Sequence, residues 1–203
     1  MTAEMSASSL GRWQPLAPAE IAALMERCSA AWWIAGGYAI DAFIGRFDRR
    51  HHDDVDVGVL ARDQSEIRRS LPDWDFQCAD PPGRLRPWLR DERLDEPVHD
   101  VWVREHSDGR WRLQLVLNPS RGEHWVYRRD GRVSRPLDKL VFESDGIAFL
   151  APEVQLLFKS KTLRRKDEQD FDDALPLLDD AQRRWLRSSL EVAHPGHPWM
   201  SRL

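Results

Sequence analysis

Ala31-Trp32-Trp33-Ile34-Ala35-Gly36-Gly37-Tyr38, followed after a basic connection by Asp53-Asp54-Val55-Asp56-Val57-Gly58-Val59-Leu60, is the stretch that decides how this chain is read. Its pattern predicts a strand, a glycine turn, a short helix from Tyr38 to Gly45, a basic run from Arg46 to His52 and a second strand. Side chains on a strand alternate faces, so Asp54 and Asp56 share one side while Val55 and Val57 point into the core. Two carboxylates that close repel each other unless a divalent cation lies between them, which outlines a magnesium site. At Gly36-Gly37 the missing side chains let a phosphate approach backbone N–H groups, and the helix that follows turns its positive end toward it. A glycine pair alone is most often a tight turn, and Asp-x-Asp alone is common on exposed strands. Their succession is far more specific than either.

Outward from that stretch, composition sets limits. The chain has 203 residues, 41% of them hydrophobic, enough for a real core. Charged residues make up 32%, yet the formal net charge is only -4, so acids and bases are interleaved and a global electrostatic grip on nucleic acid is not indicated. Basic density is local: Arg46, Arg49 and Arg50 beside the acidic pair, and Arg128, Arg129, Arg132 and Arg135 later. No run approaches membrane-span length and no signal-peptide pattern opens the chain, so a soluble, cytoplasmic protein is expected. Cys28 and Cys78 are not at metal-ligand spacing and are expected to be buried and unpaired.

The remaining elements follow from periodicity. Residues 1 to about 12 are expected to be disordered, Pro18 to Cys28 helical, Asp63 to Leu71 a further helix, and Trp74 to Ala79 a strand. The proline-rich segment from Ala79 to Pro97 reads as a long loop. Val98 to Arg104 and Trp111 to Asn118 form the clearest hairpin, with Gly109 in a left-handed conformation, Val103 opposite Leu113 and Val101 opposite Leu115. Its other face then sets Asp100 and Trp102 against Val116 and Gln114. Short strands are expected around Asp130-Gly131 and a turn at Asp145-Gly146. From Pro152 the period becomes helical, giving three amphipathic helices in a small bundle.

The motif residues Gly36, Gly37, Tyr38, Ile40, Asp41, Gly45, Arg46, His52, Asp54 and Asp56 resemble the pattern of the nucleotidyltransferase superfamily with the DNA polymerase β-like fold, above all the aminoglycoside and lincosamide nucleotidyltransferases. The likeness is tight over Trp32 to Leu60 and looser over Pro152 to Asp170. It implies an α+β fold: a mixed sheet with flanking helices as catalytic domain, residues 13–150, then a C-terminal helical domain, residues 151–203.

The resemblance further implies transfer of a nucleoside monophosphate from an NTP, most naturally ATP, to a hydroxyl of a small aminoglycoside-like acceptor, with release of pyrophosphate. That is the chemistry of antibiotic resistance. Asp54 and Asp56 would ligate two Mg2+ ions; Gly36, Gly37, Arg46, Lys159 and Lys166 would hold the nucleotide. One residue departs from the pattern. Such enzymes usually supply a third carboxylate from a neighbouring strand, and here Gln114 stands in that place, so Asp100 on the same hairpin face is the candidate catalytic acid. Two alternatives follow: the same chemistry aimed at tRNA or a protein, with Arg128 to Arg135 as docking surface, or a catalytically impaired nucleotide-binding module. Trp102 is the tryptophan expected to touch a ligand.

Overall fold

In a computed structural model, residues 10–203 are described. The chain runs α1 (Pro18–Leu24), β1 (Trp32–Ile34), α2 (Gly36–Ile44), β2 (Asp56–Leu60), α3 (Gln64–Ser70), β3 (Asp75–Ala79), β4 (Leu85–Pro87), β5 (Asp100–Arg104) and β6 (Leu113–Asn118). It continues through β7 (Ser120–Arg121), β8 (His124–Val126), β9 (Ser134–Pro136), β10 (Val141–Ser144), β11 (Ile147–Leu150), α4 (Pro152–Lys159), α5 (Arg165–Ala174) and α6 (Asp180–Ala193). The class is α+β, with mixed parallel and antiparallel strands and a helical C-terminal region. No helix among the described residues is long and apolar enough to cross a membrane.

Two compact units divide the chain: Met1–Trp33 with His52–Asn118, and Ile34–His51 with Pro119–Leu203. In the first, the strands lie in the order β1-β2-β6-β5-β3-β4. β2 pairs parallel with β6, while β5 pairs antiparallel with both β6 and β3. The hairpin register is the one its alternation predicts: Val101 opposes Leu115, Val103 opposes Leu113, Trp102 opposes Gln114 and Asp100 opposes Val116. Val101, Val103, Leu113 and Leu115 are all fully buried, because a one-residue slip would turn the whole apolar set to the other face. Gly58 sits in β2 under Trp33; a Cβ there would lie 2.1 Å from the indole nitrogen, so only glycine fits beneath that ring.

Several expectations are corrected here. Gly109 is not left-handed; its N–H instead closes a turn onto the His106 carbonyl at 2.9 Å. The first helix stops at Leu24 rather than Cys28, since its apolar stripe ends with Met25 and the chain turns there. The loop from Ala79 to Pro97 contains β4, which extends the sheet by pairing with β3. Of the segment expected to be disordered, residues 1–9 lie outside the described residues, but Leu10 and Arg12 are hydrogen-bonded to Trp111 and Trp13 bridges to it.

In the second unit, Ile34 pairs parallel with Phe149 of β11, and β10 and β11 form a hairpin whose turn residues Asp145 and Gly146 both have positive φ. Strands β7, β8 and β9 make a small antiparallel sheet around the Asp130-Gly131 turn. Helix α2 begins at Gly36, φ 70°, and ends on Gly45, φ 74°, a left-handed cap that glycine takes without steric cost. Helices α4, α5 and α6 bury Leu156, Leu157, Phe171, Ala174, Leu186 and Leu190. Trp199 stacks on Phe171 with ring centroids 4.1 Å apart.

Candidate active site

The acidic part of the motif belongs to the first unit. The second strand begins at Asp56 rather than Asp53: Val55 and Val57 are buried, Asp56 is half-buried at the strand's first position, and Asp54 is exposed just before it. Asp54 has no hydrogen-bond or ion-pair partner among the described residues. Parallel pairing sets Asp56 beside Gln114, and antiparallel pairing sets Gln114 beside Trp102. The Gln114 amide Nε2 donates to Asp100 Oδ1 at 3.1 Å. Asp56, Gln114, Trp102 and Asp100 therefore share one face of β2, β6 and β5, with the amide between Asp56 and Asp100.

Among the described residues no three His, Cys, Asp or Glu side chains group closely enough to hold a metal by themselves. The donors that are present suit magnesium nonetheless. It prefers hard oxygen ligands and is commonly held by one or two carboxylates, the rest of its shell being water and substrate phosphate.

Asp100 has neighbours on both carboxylate oxygens. His99 Nδ1 stands 2.7 Å from the Pro97 carbonyl, which can only accept, so Nδ1 carries a proton; Nε2 stands 3.3 Å from Asp100 Oδ2. Trp102 packs edge-on against Trp13 and Trp111, centroids 5.1 and 5.5 Å away. A cleft of about 330 Å³ opens beside these residues, lined by Asp100, Trp102 and Gln114 with Leu10, Leu85 and Val98 among its walls.

The glycine and basic candidates belong to the second unit. The Gly36 N–H is already bonded to Gln155 Oε1 of α4 at 2.8 Å. The next N–H groups of the first turn have no acceptor within the helix, as at any helix start. Arg49, almost fully buried, donates to Asp41 at 2.6 Å, to Asp173 at 2.6 Å and to Asp170 at 3.1 Å. Burial alone would lower the Arg49 pKa, but its bonds to Asp173, Asp170 and Asp41 outweigh that and raise it. Lys159 is only 7% exposed and pairs with Asp170 at 2.8 Å and Asp167 at 3.5 Å, so the ammonium is committed to an internal ion network. Asp41, Asp167 and Asp170 complete that network at 0% exposure.

Arg46 and Lys166, by contrast, are exposed. With Arg50 and Arg165 they line an open hollow of about 730 Å³, whose remaining lining is Arg49, Gln169 and Asp173. Arg46 pairs with the exposed Asp48 at 3.7 Å. The later arginines have contacts within their own unit, Arg128 over the Phe158 ring, Arg129 to the Phe158 carbonyl, Arg132 to Asp130 and Arg135 to the buried Glu153, while Arg129 and Arg132 stay exposed.

Sequence reasoning missed Gln155 and His99. Gln155 sits in an apolar helical stripe and His99 beside a proline, and neither context signals a role before the fold brings their partners to them.

The family model described as aminoglycoside-2''-adenylyltransferase matches residues 19–173. Among solved structures, the lincomycin-bound lincosamide antibiotic adenylyltransferase LnuA superposes with a TM-score of 0.50 at 17% identity, covering 84% of this chain and 97% of that one. The antibiotic-resistance factor ANT(2'')-Ia superposes in its solution structure with a TM-score of 0.51 at 16% identity, covering 85% and 88%. Its complex with adenylyl-2''-tobramycin gives 0.53 at 15% identity, covering 84% and 93%. At such identities the likeness is one of fold. No curated protein sequence matches significantly.

Proposed function

The chain belongs to the aminoglycoside-2''-adenylyltransferase family, a family of nucleotidyltransferases, and from that premise we propose that it transfers a nucleoside monophosphate from an NTP, ATP first among them, to a hydroxyl of a small antibiotic-like acceptor. The observation that carries this reading is the shared strand face of Asp56 and Asp100, with Gln114 between them and Asp54 just before the strand.

In this reading Asp54 and Asp56 would hold Mg2+, which would offset the charge of the triphosphate and make an acceptor hydroxyl more acidic. Asp100 takes the hydroxyl proton. The Gln114 amide cannot, because a neutral carboxamide is not a base at neutral pH; it fixes the orientation of Asp100 through its Nε2–H. The acceptor oxygen attacks the α-phosphorus, the bond to the β-phosphate oxygen breaks, and pyrophosphate leaves with the electron pair. The nucleotide-binding candidates of the second unit are Gly37, Arg46 and Lys166, since the Gly36 N–H is engaged by Gln155. Lys159 serves the network that holds α4 and α5 rather than the phosphates.

A small acceptor is favoured over tRNA or a protein because the matching family model and the structural neighbours are antibiotic adenylyltransferases. Both acceptor chemistries of the structural neighbours, tobramycin and lincomycin, are candidates. The test is pyrophosphate release with MgATP and each antibiotic. Asp54→Asn or Asp56→Asn should abolish it, and Asp100→Asn should slow it by ~10²–10⁴-fold. Release that is unchanged in the Asp54→Asn and Asp56→Asn proteins would sink the proposal.

A further inference from the structure

We infer that the segment ahead of α1, Leu10 to Leu16, is a built wall of the cleft beside Asp100, and that Leu10 by direct contact and Trp13 through Trp102 decide how large a group that cleft takes. Calling the group an acceptor rests on the nucleotidyl-transfer reading; the construction of the wall does not.

The segment lies along Trp111 and Arg112, with Trp13 and Trp111 forming a parallel bridge. The Trp111 N–H donates to the Arg12 carbonyl, the Gln14 N–H to the Trp111 carbonyl and the Leu16 N–H to the Arg112 carbonyl, each at 2.9 Å, and Arg112 Nη1 donates to the Gln14 carbonyl at 2.7 Å. Bonds on either side of Trp13 fix its register, and its ring meets Trp102 edge-on with centroids 5.1 Å apart. Upstream, Gly11 has φ 109°, a conformation that residues with a side chain rarely adopt, and a Cβ there would lie 2.9 Å from Trp111 Nε1. That turn lets the Trp111 indole N–H donate to the Leu10 carbonyl at 2.8 Å and leaves Leu10 on the lining of the cleft.

The cleft, about 330 Å³, lies at the small end of the range that holds drug-sized molecules, so a single wall residue sets much of its boundary. Asp100 and Trp102 are two residues apart on β5 and share a face, so whatever reaches the carboxylate passes beside that ring. The Trp102 ring is held between Trp13 and Trp111, the second with centroids 5.5 Å away. Trp111 is only 2% exposed and is fixed by the core, which leaves Trp13 as the contact that the segment contributes. A segment that served stability alone would need its bonds to Trp111 and Arg112, but no side chain on the cleft.

Leu10→Trp, which adds ring volume to the wall, is the decisive variant. The intact protein and the variant are titrated calorimetrically with tobramycin and with lincomycin, pyrophosphate release from MgATP is measured with each, and thermal melts are compared. Whichever antibiotic binds the unaltered protein should bind Leu10→Trp at least about tenfold more weakly, its KM rising to match, while the KM for MgATP stays within about twofold. Where Leu10→Trp also lowers the melting temperature, Leu10→Ala, which only trims the wall, carries the test with a change of roughly threefold to tenfold in the same affinity. Trp13→Ala should raise the antibiotic KM by roughly threefold to tenfold, and Trp13→Phe should restore it, a rescue confined to that KM that a merely structural ring would not produce. Unchanged antibiotic affinity in the Leu10 variants, equal losses for antibiotic and MgATP, or no binding of either antibiotic to the unaltered protein would overturn the inference. Antibiotic binding without pyrophosphate release would remove the transfer reading and leave the wall standing; release that neither Leu10 substitution alters would do the reverse.

Discussion

The two charge clusters of this protein are built in opposite ways. At the entry to β2, Asp54 is exposed without a hydrogen bond or ion pair among the described residues, and Asp56 is half-buried. Around α2, α4 and α5, Asp41, Asp167 and Asp170 are fully buried, and Arg49 and Lys159 are set among them at 2.6 to 3.5 Å. A buried charge costs several kcal/mol unless a partner meets it, so the second cluster must be satisfied for the fold to form. An exposed charge is solvated by water and leaves its partner to be supplied by a ligand. Carboxylates of one chemical kind thus serve stability in one region and remain available for function in the other.

The sharpest way to break this contrast is Asp170→Ala. Removing that carboxylate leaves Arg49 and Lys159 buried with fewer counter-charges, and should cost about 3–5 kcal/mol of unfolding free energy in denaturant titration. A loss under 1 kcal/mol would mean that water or a rearranged Asp173 replaces it and that the network is not structural. Next in size, Gly58→Ala forces a methyl group into the Trp33 indole and should destabilise by about 1–3 kcal/mol, a packing effect next to the acidic face that changes no charge.

A smaller effect is expected from pH. His197 accepts the Trp199 N–H at Nδ1 and so donates from Nε2 to the Ser160 carbonyl, and burial lowers its pKa, as it does for His194. A histidine whose folded value is depressed contributes stability above the unfolded value of about 6.5 and loses it as pH falls through the folded value. Thermal melts should therefore decline just below pH ~6.5, and His197→Gln should flatten that decline; an unchanged slope would remove His197 from the account. Asp167 and Asp173 act further into acid. Burial would raise both, but Arg164 and Lys159 for the one, and Gln169 and Arg49 for the other, hold them low. Their contribution persists above the ordinary aspartate value and disappears only as pH falls through the lowered one.

Smallest of all, Asp54→Asn should change stability by no more than about 0.5 kcal/mol, as surface substitutions do, while removing pyrophosphate release. A large stability change in that variant would show that the acidic face is structural after all.

What could be read from the sequence was local. The strand, glycine pair, helix and Asp-x-Asp strand, and the hairpin pairs Val101 with Leu115 and Val103 with Leu113, follow from residues within a few positions of one another, because side-chain direction in a strand repeats every two residues. Turn conformation was less legible: Gly109 closes its turn without positive φ, since the longer loop after Arg104 does not need it. The partner each charge takes was not legible at all. Lys159 and Lys166 read alike in sequence, yet one is buried between Asp167 and Asp170 and the other is exposed beside Arg46; Gln155 caps Gly36 from 119 residues away. Sequence fixes which residues alternate and which turn the chain. Tertiary structure alone decides which charges lose water, because desolvation depends on every element packed around a side chain, and that loss decides whether a charged group must hold the fold together or can remain available to a substrate.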